Sequence, residues 1–146
     1  MLKRDLILQL IEELNRVTAR VAALRGEGQL AAAEAEVDGA AQGLVGMDLG
    51  LTAGLAPAAL VPLVGEPHRL AAAARLMLLR SDLAGDRGDE DAAGRWYGNA
   101  VEVWLEAAAA GAPLDAEARE AIEAWPAGTL SARGRELRAR LPPAGR

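Results

Sequence analysis

The chain has no cysteine and no phenylalanine, and its only aromatic residues are three tryptophans and one tyrosine. Without cysteine, disulfide bonds, thiolate catalysis and zinc–thiolate centres are excluded. Apolar residues make up 51% of the chain, but much of that fraction is alanine, the strongest helix former. β-Sandwich cores need β-branched and aromatic residues, and aromatic residues are scarce here. The composition therefore predicts an all-α fold, a compact bundle of five or six helices.

Positive charge is also in short supply, since 16 basic residues face 21 acidic ones and the net charge is −5. Because phosphate binding requires a basic face, this balance disfavours a nucleic-acid partner. The basic residues gather towards the two ends of the chain, where they include Lys3, Arg4, Arg16, Arg20, Arg25, Arg133, Arg135, Arg138, Arg140 and Arg146. If the two ends meet, they would form a basic patch against an acidic body. Solvated helix faces are the simpler interpretation.

The first segment, from Leu2 to Leu24, is predicted to be one long helix, because its apolar residues recur at spacings of three and four. Its polar positions Gln9, Glu12 and Glu13 interrupt the apolar run, which is untypical of a signal peptide, so a cytoplasmic location is expected. Three consecutive heptads are at the lower limit for a coiled coil, so this stripe would form a dimer seam or dock on its own domain. The stripe comprises Ile7, Leu10, Leu14, Val17, Val21 and Leu24.

Residues 49–65 form an uncharged, apolar connector. They are fewer than the roughly 20 residues of a membrane-spanning helix. Pro57 would open a short helix, and Pro62 and Gly65 would end it. We interpret the connector as a plug buried across the domain, and contact with a membrane surface is the alternative.

Glycine, proline and acidic residues mark the ends of the other predicted helices. These helices cover about residues 29–44, 67–84, 89–110, 115–125 and 131–141. The predicted domain spans residues 1–141, and residues 142–146 are expected to form a flexible tail.

One segment carries a recognisable pattern: an alanine-rich helix, a Gly88-Asp89 turn and a second helix with small and aromatic residues. Residues 74–107 resemble a single tetratricopeptide repeat, a helical hairpin that stacks on its neighbours and binds partner proteins. Ser81 takes the small-residue position of the first helix, whereas Arg80 and Ala84 depart from the pattern at a leucine and an aromatic position. The residues assigned to repeat-like packing are Ala93, Trp96, Tyr97, Ala100 and Trp104.

The whole chain is also similar to an uncharacterised bacterial family, the domain-of-unknown-function family 6483. The similarity rests on residues 4–14, on the connector Gly46-Met47-Asp48-Leu49 and on the hairpin. It implies a helical fold and no particular activity.

Candidate catalytic and metal-binding residues are isolated. His68, the single histidine, has no second histidine or cysteine to share a metal with, and we interpret it as a surface residue. The acidic residues of 82–91 lack the alternating spacing of a calcium loop and are better explained as helix caps. We therefore expect no enzyme activity, no metal and no cofactor.

The pattern as a whole predicts a non-catalytic protein-interaction or assembly module that forms a homodimer. Both the hairpin and the first helix have apolar stripes that need a neighbour. The alternative is a peripheral membrane protein that uses residues 49–65 or the basic first helix. A small-molecule binder with an unmarked pocket is a third possibility, and no single residue recommends it.

Overall fold

The computed structural model describes residues 4–142, which form α-helices and turns and contain no β-strand. Eight α-helices follow one another in this range: α1 (Arg4–Gly26), α2 (Leu30–Leu44), α3 (Leu49–Ala53), α4 (Pro57–Val64), α5 (Pro67–Asp86), α6 (Glu90–Ala109), α7 (Ala116–Ala124) and α8 (Ala132–Ala139). A short 3-10 turn, Ala127–Thr129, precedes α8. The all-α fold class is confirmed. The predicted helix start at Leu2, the basic residues Lys3 and Arg146 and the tail 143–146 lie outside the described residues.

Local signals place the helix ends correctly. The residue Asp89 precedes α6, and its carboxylate accepts a hydrogen bond from the Ala92 N–H at 3.1 Å. Just before it, Gly88 has φ +81°, which favours glycine, and the Asp89 N–H donates to the Ala84 carbonyl at 2.9 Å. Asp115 caps α7 and Ser131 caps α8 in the same way. The expected role of Asp89, Asp115 and Ser131 as helix caps is confirmed. For Asp82 and Asp86 the same prediction is wrong, because both lie in the last turns of α5 and contact Arg25 instead.

The connector departs from expectation, because it holds two helices and Pro62 lies inside the second. The predicted break at Pro62 is wrong. A proline in a helix removes one N–H donor, and in a helix of only 8 residues we attribute its tolerance to packing against α5 and α6. The helix ends instead before Gly65, which has φ +79°. The short helix that Pro57 opens was expected, so α3 is the additional one, and the eight described helices exceed the predicted five or six.

The core is centred on α5, which packs most extensively against α6 and also contacts α1, α2, α3 and α4. Most of its residues between Leu70 and Ala84 are buried, which fits the prediction of a helix that is apolar on two sides. Across from it, α2 contributes the small residues Ala33, Val37 and Ala41, each 0% exposed. Small side chains let the helices approach closely, which is why a core without phenylalanine packs well.

Helix directions follow from the contacts between helices. Arg25, near the end of α1, binds Asp86 at the end of α5, with 2.6 Å between Nε and Oδ2. Leu10, near the start of α1, shares a groove with His68 at the start of α5. α1 and α5 therefore run in the same direction, and α2 runs antiparallel to both, as the Glu34–Arg87 pair shows.

Candidate functional site

The predicted seam of α1 faces the core of its own chain. Val17 and Val21 are both 1% exposed, and Leu14 and Leu24 pack against the same core. Ile7 and Leu10 are half-buried. The prediction of a dimer seam is therefore corrected at Val17 and Val21, because helices of the same chain already cover them. Along this stretch, α1 docks on its own domain, which was the alternative to a dimer seam.

A different face of α1 is uncovered near its N-terminus. Leu8 and Ile11 are 50% and 46% exposed, and they lie three residues apart, which places them side by side on the helix surface. Arg4 precedes them on this face and Glu12 follows, both exposed. We call Arg4, Leu8, Ile11 and Glu12 the N-terminal stripe. It lies roughly 135° around the helix from the predicted seam.

The α5–α6 hairpin forms in the predicted place. The Ser81 hydroxyl donates to the Ala93 carbonyl at 2.8 Å, which joins the two helices near the turn. Farther from the turn, Ala100 and Trp104 are 0% and 3% exposed. Ala93 is half-buried. Ala100 and Trp104 thus lie in the core, and the other three repeat-like positions are half-buried.

The two aromatic residues at the middle of α6 are half-buried and have specific partners. The Arg80 guanidinium lies over the Trp96 ring, 5.3 Å from its centroid. The Tyr97 hydroxyl donates to the Ala121 carbonyl at 2.6 Å, and its ring stacks on Trp125. Arg80 departs from the repeat pattern, yet it has a packing role against the aromatic residue of α6. The hydrogen bond from Tyr97 and its stacking on Trp125 connect α6 to α7.

Arginines from both ends of the chain bind acidic residues of the body. Arg20 binds Glu36 of α2, Arg25 binds Asp86 of α5, and Arg133 binds the buried Glu106 of α6 at 2.5 Å. The Arg133 guanidinium contacts both carboxylate oxygens, a bidentate geometry. These ends therefore dock on the acidic body through separate ion pairs.

Two carboxylates share one arginine at the end of α5. Asp86 accepts hydrogen bonds from Arg25, and this contact lowers the pKa of Asp86. Asp82 lies one turn earlier, 3.7 Å from Arg25 Nη1, and its side chain is 45% exposed. Burial raises the pKa of Asp82, because the charged carboxylate loses hydration. The ionised form of Asp86 is therefore stabilised, whereas the ionised form of Asp82 is disfavoured.

A groove of about 290 Å³ opens between α1, α5, α6 and the start of α7. Its walls are mainly apolar and include Leu10, Leu14, Ala71, Trp104, Leu114 and Ala118. Four polar residues also line it, Asn15, His68, Arg75 and Asp115, and so does Ile11 of the N-terminal stripe. We call this cavity the Arg75 groove.

The polar residues of the Arg75 groove have unequal numbers of partners. His68 Nδ1 lies 3.1 Å from the Glu66 carboxylate, and its side chain is only 23% exposed, so the surface interpretation of His68 is corrected. Asp115 caps α7. The Arg75 side chain is 13% exposed, and its Nη2 binds Glu117 at 2.8 Å. Its Nε is buried and has no hydrogen-bond partner.

The sequence predicted neither a metal site nor an activated hydroxyl nucleophile. Within residues 4–142 no three histidine, aspartate or glutamate side chains cluster closely enough to hold a metal ion. The hydroxyls of Ser81 and Ser131 are engaged, the first with Ala93 and the second with Glu102 and Gly134.

Among the described helices, none combines the length and the apolar character needed to cross a membrane. In comparisons with known proteins, the chain matches no family model, no curated protein and no solved structure. The class that the fold defines is an all-α helical bundle. The similarities to a tetratricopeptide hairpin and to family 6483 stay predictions.

Sequence reasoning overlooked two features. Arg75 follows four consecutive alanines in a largely buried part of α5, and a charge in such a setting was an available signal. Leu8 lies outside the heptad positions, so a search for heptads passes over it.

Proposed function

We propose that the protein is a non-catalytic, cytoplasmic assembly module that pairs with a second copy of itself through the N-terminal stripe of α1. The observation that carries this proposal is the exposure of Leu8 and Ile11, about half of each side chain, on one helix face. Adjacent exposed apolar side chains favour association, because pairing removes them from water.

Charge indicates how the two copies would be oriented. The stripe begins at the basic residue Arg4 and ends at the acidic residue Glu12. In a two-fold interface the same surface meets itself, and antiparallel helices place opposite ends together. An antiparallel arrangement therefore brings unlike charges together, whereas a parallel one brings like charges together.

The test is the oligomeric state of a Leu8→Glu/Ile11→Glu double variant, measured by light scattering after size exclusion at tens of micromolar protein. We expect a dimer for the original chain and a monomer for the variant, because each copy would bury two new charges at the interface. The matched control is Leu51→Glu/Leu63→Glu, since both leucines are 59% exposed on α3 and α4. A monomeric original chain, or a variant that still dimerises, would contradict the proposal.

The second candidate is attachment to an anionic membrane surface through residues 49–65. It is favoured by the exposure of Leu51 and Leu63 within a segment that has no charged residue. In liposome flotation, an interaction module stays at the bottom. A peripheral membrane protein floats, and the Leu51→Glu/Leu63→Glu variant then sinks.

A further inference from the structure

We propose that the Arg75 groove binds a medium-chain carboxylate, an anionic head on a short apolar tail. This inference goes beyond the assembly function and does not depend on it. It rests on an apolar cavity that contains a largely buried guanidinium with an unmet hydrogen-bond donor.

The unmet donor specifies the head group. A guanidinium offers five N–H donors in a planar fork, and a buried donor without an acceptor is unfavourable. Arg75 Nη2 binds Glu117, whose side chain is 53% exposed, whereas Nε has no partner. A carboxylate supplies two acceptor oxygens in the spacing that a guanidinium binds side-on. Nε itself is closed to solvent, so the Arg75 side chain must turn for a carboxylate to reach it, and the ligand would compete with the solvent-exposed Glu117 for the rest of the fork.

The apolar residues that line the Arg75 groove indicate that the ligand has an apolar tail. Residues from four parts of the fold make an apolar wall, which includes the buried Trp104, 3% exposed. A small inorganic anion would leave this wall in water, and an uncharged lipid would leave Nε without an acceptor. The other charged group is Asp115, which accepts the capping hydrogen bond of α7, so the head group is expected on the Arg75 side of the groove.

The volume of the groove limits the length of the ligand. At about 30 Å³ for each non-hydrogen atom, the share of a water molecule in the liquid, a cavity of about 290 Å³ holds about ten atoms. Octanoate has that size. Pockets at the small end of the usual range bind such ligands weakly, so we expect a dissociation constant on the order of 0.1–1 mM.

The experiment is a titration of the full chain, labelled with ¹⁵N, with octanoate and separately with 1-octanol. We expect saturable shifts at the amides around Leu14, Arg75 and Ala118 with octanoate, and roughly tenfold weaker binding of 1-octanol, which lacks the charge that Arg75 pairs with. This comparison needs no variant. Equal affinity for both ligands, or no saturable shift at the groove with octanoate, overturns the proposal.

Two variants of α5 complete the test. Arg75→Gln should weaken octanoate binding by roughly tenfold, whereas Arg80→Gln should leave it unchanged, because Arg80 lies against Trp96 and Asp38 and does not line the groove. Circular dichroism checks that both variants fold. Unchanged affinity in a folded Arg75→Gln variant overturns the assignment of the head group to Arg75. Ile11 lines the groove and also belongs to the N-terminal stripe. Light scattering on the Arg75→Gln and Arg80→Gln samples, which keep the stripe intact, therefore reports dimerisation apart from octanoate binding.

Discussion

Asp82 and Asp86 lie on successive turns of α5 and face the same arginine, yet their pKa values shift in opposite directions. Burial is the main influence on Asp82 and raises its pKa, whereas the hydrogen bond from Arg25 is the main influence on Asp86 and lowers it. A raised pKa means that the native state favours the proton, so the ionised Asp82 costs stability above its native pKa. The ionised Asp86 contributes stability above its unfolded pKa, and this contribution is lost as the pH falls through its native pKa.

We therefore expect Asp82→Asn to raise the free energy of unfolding at pH 7. The gain should stay below about 1 kcal/mol, because solvent screens a half-exposed carboxylate. It should fade as the pH falls through the pKa of Asp82, since the original side chain is then neutral too. Urea unfolding at a series of pH values measures this change.

The Asp86→Asn variant is the matched control, one turn away on the same helix and beside the same arginine. It should lower the free energy of unfolding at pH 7, and the difference should also vanish at acid pH. If both variants shifted stability in the same direction, the assignment of burial to Asp82 and of pairing to Asp86 would be wrong.

Residue-scale features were the most predictable from sequence. Asp89, Asp115 and Ser131 cap their helices as expected, because a cap needs only the backbone amides two or three residues ahead. His68 was misjudged, since its burial depends on α1 and on the loop before α7, which are distant in sequence.

At the scale of elements, the α5–α6 hairpin depends on the small residue Ala100. This side chain is 0% exposed, so nothing larger fits without movement of the neighbouring helices. Ala100→Trp should lower the free energy of unfolding by about 1–3 kcal/mol through overpacking. Thermal or urea unfolding measures it.

Ala109→Trp provides the matched control, because Ala109 is exposed in the last turn of the same helix. It should change the stability little. Ala93→Trp should fall between the two, since Ala93 is half-buried. Equal stability of all three variants would show that α6 does not pack by the face that contains Ala100.

Periodicity predicted the long helices well and the connector poorly. Both α5 and α6 have apolar residues at helical spacing over 20 residues each, a strong signal. The connector helices have 5 and 8 residues, too few for a periodic signal. The position of Pro62 also argued against a helix there, and local propensity was outweighed by packing on α5 and α6.

For the whole molecule, the distribution of burial predicts an order of local stability. Most buried side chains lie in α5 and α6, whereas residues 4–14 of α1 include none that is fully buried. Native-state hydrogen exchange should therefore show the slowest amides in α5 and α6, opening only with global unfolding, and the fastest helical amides at the start of α1.

The Leu8→Glu/Ile11→Glu variant serves as the control for that measurement. In a dimer, the start of α1 gains protection from the second copy, and the variant loses this protection while α5 and α6 keep theirs. Uniform protection along the chain, in both forms, would contradict the burial pattern as the source of local stability.

The sequence by itself determined the all-α fold class, the long helices and the capped turns between them, because these depend on residues within one or two helical turns of each other. Only the tertiary structure decided which face of α1 is free. The heptad stripe with Val17 and Val21 became core, and the stripe with Leu8 and Ile11 was left in solvent. It also decided that Arg75 would lie in an apolar groove. Both outcomes depend on which distant helices cover a given face, and helical spacing within one segment carries no information about that.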